Sequence, residues 1–158
     1  MKTLLRTIVW LALVVWLGGL LFLPFAAVAA FGTVSATHLA GTIVAKCLNV
    51  AHHEGFIAGG VIVVLLALGY FLRSFRLSTV SLGILVALLM IGCTAWSQYG
   101  IIPRMERDRI AAGGAIDSVP KTDPRHADFD NLHHLSTDVE EAIMLGGFGL
   151  VILLARDY

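Results

Sequence analysis

The chain has 158 residues, of which 58% are hydrophobic and only 14% charged, with zero formal net charge and a mean hydropathy of +0.85. A soluble domain carries about a quarter charged residues. The composition therefore points to one domain embedded in a lipid bilayer, and the charge balance excludes nucleic acid as an electrostatic partner.

The first six residues are basic through Lys2 and Arg6, and residues 7–31 are then almost wholly apolar. Ala27-Val28-Ala29 resembles a signal-peptide cleavage site, but the apolar run before it exceeds the roughly 7–15 residues of a signal-peptide core. The segment reads as a retained first span, with Gly18 and Gly19 as a close-packing face and Pro24 as a kink. From Ser35 to Ala51 the apolar residues recur at helical spacing. This pattern fits an amphipathic interfacial helix or a long extension of the next span; the interfacial helix is the expectation carried forward. Residues 56–72 form the second span, with Gly55 and Gly59 as a small-residue face near its start. After the basic loop Arg73–Arg76, residues 77–102 form the third span, with Trp96 and Tyr99 as interfacial aromatics.

Pro103 opens a polar connection over residues 103–130, broken by Gly113-Gly114 and punctuated by Pro120 and Pro124. The last helix is expected to start near Asp128 and to span over residues 136–155, packing through Gly146, Gly147 and Gly149. Its apolar part, Ala142 to Ala155, covers only about 21 Å at 1.5 Å per residue, against a bilayer core of about 30 Å. A fourth crossing must therefore draw ionisable residues from the preceding polar run to the membrane boundary. Cys47 and Cys93 have no C-x-x-C spacing and read as small hydrophobes. The expected fold is an all-α integral membrane protein: four transmembrane helices in a bundle plus the interfacial helix.

Four spans place the N-terminus, the Arg73–Arg76 loop and the C-terminus on one side. The dense positive charge of these short segments assigns that side to the cytoplasm, in a bacterial inner membrane. All six histidines and every acid except Asp157 then fall on the other face. His52-His53-Glu54 precedes the second span, and His133-His134 precedes the fourth. On a helix His134, Asp138 and Glu141 share one stripe, and His133, Thr137 and Glu140 the adjacent one. Imidazole with carboxylate suits a transition metal, and two facing histidines suit a haem iron. His53 and His133 are the candidate principal ligands, supported by Glu54, His134, Asp138 and Glu141. No catalytic motif is present: Ser136, three residues from His133, is helix-borne and lacks a nucleophile elbow.

Three stretches carry a family resemblance: Trp16-Leu17-Gly18-Gly19, Ile102-Pro103-Arg104, and Phe129 to Ser136 with its F-x-x-x-H-x-L-S pattern. In these the chain resembles the membrane family called domain of unknown function 4149, whose relatives include the transmembrane protein 205-like proteins. His133 and Ser136 match the last motif, and His53 falls where a family histidine begins the second span. The chain departs from the pattern at Glu140, where the resemblance implies Asn. The resemblance implies a four-span helical protein and supplies no activity.

Three functional readings follow. The first is a small non-enzymatic membrane protein binding a metal ion or haem at the His/acid face. The second is an accessory subunit of a larger respiratory or photosynthetic complex, or a homo-oligomer, packed through its glycine faces. The third is a small proton- or cation-linked transporter.

Overall fold

The computed structural model describes residues 2–157 and contains no strand among them. Helix α1 runs Lys2–Thr33 and α2 runs Thr37–Phe71. Helix α3, Leu77–Trp96, passes through a π-helical turn, Ser97–Ile101, into α4, Ile102–Ala111. A single 3₁₀ turn, Ile116–Ser118, leads to α5, Pro124–Ala155. Helix α1 packs against α2, α2 against α3, and α3 against α5, which closes the bundle onto α1.

Three helices are long and apolar enough to cross a membrane: α1, α2 and the continuous rod Leu77–Ala111. Helix α5 is not among them, because Asp138, Glu140 and Glu141 open its apolar run. The bundle is apolar on the outside as well. Val28, Ile57, Phe71 and Leu145 are each more than two-thirds exposed, an arrangement that water would penalise and that lipid accepts. The interior holds Trp16, Ile62, Leu66, Ala87, Ile143 and Leu150. Between helices in lipid the hydrophobic effect adds little, so close packing and hydrogen bonds must hold such a bundle together.

The separate interfacial helix is corrected. Residues 37–51 are the first half of α2, which continues through His52–Gly55 without a break because no proline or turn signal interrupts it. The connection expected over 103–130 is also shorter, since α4 fills its start and α5 begins at Pro124 rather than near Asp128. Asp123 caps α5 by accepting from the Arg125 N–H, and Pro124 occupies the first turn, where its missing donor is harmless.

Two of the expected packing glycines are in place on α2. A Cβ at Gly55 would lie 2.5 Å from Trp16 Nε1, and one at Gly59 would lie 2.7 Å from Ile91 Cγ1 and 2.8 Å from Trp16 Cζ3. These two positions make room for the Trp16 indole. Gly146 backs onto Met90, and Gly19 faces Glu54 and Ala51. Gly18 and Gly149 face open space instead, and Gly147, seated on Leu17, takes the packing role on α5.

The chain ends and the α2–α3 turn are fastened together. The buried Asp157 carboxylate accepts from Thr79 Oγ1 at 2.8 Å and from the Arg76 N–H at 3.4 Å, and lies 3.5 Å from Arg6 Nη2. Arg6 also donates through Nε to the Ser74 carbonyl at 3.0 Å and stacks over the Phe75 ring.

Candidate functional site

The other buried polar cluster sits where α2, the π turn and α5 meet. His52 is 1% exposed and bonded at both ring nitrogens: Nδ1 lies 2.7 Å from Gln98 Oε1, and Nε2 lies 2.7 Å from Glu140 Oε1. Ser97 Oγ donates to the same Glu140 oxygen at 2.9 Å. The second carboxylate oxygen, Oε2, is buried with no hydrogen-bond partner. Glu140 is also the group that reaches the surface, its side chain being 16% exposed against 1% for His52.

Local sequence explains why these groups converge. Pro103 has no N–H to offer the helix carbonyl four residues back, and its ring crowds that carbonyl. The chain answers by widening one turn, so that the Ile102 N–H donates to the Ser97 carbonyl, five residues back. Such π bulges recur at functional sites because they change which side chains point inward. Here Ser97 and Gln98 are buried, while Trp96 and Tyr99 point outward, Tyr99 stacking on Phe56. His52 lies on the buried face of α2 with Gly55, Gly59 and Ile62, and Glu140 flanks the inward stripe of Ser136, Ile143 and Gly147.

The hydrogen-bond chemistry is tied to protonation. As placed, both ring nitrogens of His52 face acceptors, an arrangement that a doubly protonated imidazolium satisfies. Turning the Gln98 amide over would present its N–H₂ to Nδ1 and suit a neutral ring donating only to Glu140. The His52 ring thus has two hydrogen-bonded arrangements that differ by one proton and one amide rotation.

The residues singled out from the sequence lie around this cluster rather than in it. His53, next to His52 but a hundred degrees round the helix, is exposed; its Nδ1 bonds the Asn49 carbonyl, and its ring meets Phe56 edge-on. His133 and His134 are both exposed, their ring centroids 6.1 Å apart. Glu54, Asp138 and Glu141 are exposed too. Among the described residues no three His, Cys, Asp or Glu side chains are grouped to hold a metal ion. His126 is buried, its Nδ1 bonded to the Val119 carbonyl at 2.8 Å, and it fixes the connection to α5.

No family model, curated protein or solved structure matches the chain.

Proposed function

We propose that the chain is a four-span membrane protein in which the His52–Glu140 pair is a proton-binding site, and that its function is proton-linked transport. One observation carries this: a histidine and a carboxylate buried together inside an apolar bundle, completed by Ser97 and Gln98 on a π turn. Ionisable groups in such a place are costly and by default functional, and histidine is the side chain whose ordinary pKa falls near neutrality. The same pairing supports reading α5 as a fourth span, with Glu140 turned inward and an apolar exposed face from Leu145 to Ile152. Glu140 lies about 25 Å along α5 from Asp157 at about 1.5 Å per residue. With Arg6 and Asp157 at the cytoplasmic boundary of a core about 30 Å thick, the pair sits just inside the opposite face.

In this reading Glu140 exchanges protons with the outer aqueous phase, and His52 and the Gln98 amide relay the change to the packing of α2 against α3. A metal or haem reading rests on His53 and His133, which are not drawn into the buried cluster, so the geometry favours the proton. The test is vesicles containing the full chain, a trapped pH dye and an imposed potassium diffusion potential. Wild-type vesicles should change internal pH faster than empty ones, and Glu140→Gln should return them to the leak rate. Indistinguishable rates with and without wild-type protein would end the proposal.

A further inference from the structure

At the opposite end of the bundle an open cavity of about 320 Å³ is bordered by Arg6, Tyr70, Arg73, Ser74, Arg76 and Asp157. Two guanidinium groups lie near the Asp157 carboxylate, Arg6 Nη2 at 3.5 Å and Arg76 Nε at 3.9 Å, and Arg73 lines the same cavity; the carboxylate is also bonded to Thr79 and the Arg76 backbone. The Arg73 and Arg76 side chains project into solvent, Arg76 being 78% exposed.

The backbone supplies an independent observation. Helix α2 ends in a left-handed turn: the Ser74 N–H donates to the Gly69 carbonyl at 2.7 Å and the Arg73 N–H to the Tyr70 carbonyl at 3.0 Å. The residue at the left-handed position is Arg73, with φ +49°, the one described non-glycine residue at positive φ. Glycine makes this turn without strain, so what arginine adds at this position is its side chain. Strain of this kind, held by its surroundings, clusters at ligand sites. A second observation lies beside it. Ser74 is 3% exposed, and its hydroxyl is buried without a hydrogen-bond partner.

We infer that this cavity binds a phosphate group. Guanidinium planes match phosphate oxygens in paired hydrogen bonds, and the Ser74 hydroxyl supplies one further donor after a rotation about its χ1. Two sources share this chemistry, the headgroup of an anionic lipid and free inorganic phosphate. Lipid is favoured because the cavity opens at the level where α1 and α2 leave their apolar spans.

The experiment is native mass spectrometry of the delipidated full chain in micelles, titrated separately with phosphatidylglycerol, phosphatidylcholine and inorganic phosphate. Phosphatidylglycerol should bind about thirtyfold more tightly than phosphatidylcholine, and Arg73→Gly with Arg76→Gln should remove that preference, the size expected of two arginines at an anionic surface. Because glycine suits the turn, thermal unfolding of Arg73→Gly reports whether the fold is intact. Binding of inorganic phosphate that the same variant abolishes, without lipid preference, would assign the site to the free anion. Equal binding of both lipids together with no phosphate binding would overturn the inference, as would full binding by the correctly folded variant.

Discussion

Two polar clusters are buried in this apolar bundle, and they are built from different chemistry. At one end Arg6, Thr79 and the Arg76 backbone converge on Asp157. At the other, Glu140 and Gln98 close on His52, and Ser97 donates to Glu140. The first joins segments far apart in sequence through a guanidinium that keeps its charge at any physiological pH, and several of its partners are backbone groups. The second joins three helices through side chains alone, one of them an imidazole. A fastening needs groups that do not change; a switch needs groups that do. The proposed function assigns the fastening to the Asp157 end and the switch to the His52 end.

The largest expected effect tests the fastening. Asp157→Ala removes the acceptor of the buried Thr79 hydroxyl and of the Arg76 N–H and the carboxylate beside Arg6, which keeps the Ser74 carbonyl and the Phe75 ring. Breaking a buried pair in this way costs about 3–5 kcal/mol, and denaturant unfolding in micelles should show a loss of that order. Stability within about 0.5 kcal/mol of wild type, the range of an ordinary surface substitution, would mean the chain ends are not held there. At the other cluster His52→Ala should cost less, about 2–3 kcal/mol, because Glu140 keeps Ser97 and some solvent contact. Combining it with Glu140→Gln should destabilise by about 1–2 kcal/mol less than the two single changes together, which is the signature of a direct pair. Strict additivity would show that the two groups do not interact.

Much of this was legible in the chain and the decisive part was not. Apolar runs, the basic loop and the polar start of the last helix define the helical membrane architecture. The two histidine segments, one within α2 and one near the start of α5, also lie on the two helices that the His52–Glu140 pair joins. His53 points away from that pair, because a one-residue difference turns a side chain by about 100° on a helix. His52 shares the register of Gly55 and Gly59, a signal that was present. Gln98 and Ser97 gave none, since a π turn shifts the inward register and only Pro103 hints at it. The C-terminal Asp157 pairs with Arg6 across nearly the whole chain, a contact that no local pattern encodes.

Packing around Trp16 gives the next effect in size. Gly59→Val would place its Cβ against both Ile91 and the indole, and overpacking of that kind costs about 1–3 kcal/mol. Gly18→Ala on α1 is the control: nothing lies within 4 Å of its added Cβ, so helix propensity should stabilise the protein by up to about 1 kcal/mol. Since Gly59 lies on the same face of α2 as His52, Gly59→Val should also disturb the His52 pair, read as a shift of its ring resonances, while leaving the Asp157 cluster unaltered. Equal disturbance of both ends would mean that the bundle transmits strain as one body and that the two clusters are not independent.

The smallest effect separates the switch from ordinary acid loosening. Asp123 caps α5 outside the spans, and the side-chain and backbone hydrogen bonds from Arg125 hold its carboxyl at about 2, below its ordinary 3.8. A depressed carboxyl contributes its stability above the unfolded value and loses it as pH falls through the folded one. The cap should therefore stay whole down to about pH 4 and open towards about pH 2, read as faster hydrogen exchange at the Arg125 amide that Asp123 accepts from. Arg125→Gln should move that opening up towards the ordinary carboxylate range. Imidazole ordinarily titrates between about pH 5 and 8, a window well above the one in which this cap opens. A pH-dependent change in helix packing there, lost in His52→Ala and kept in Arg125→Gln, belongs to the His52–Glu140 end alone. The same change kept in His52→Ala would remove the reason for calling that end a switch.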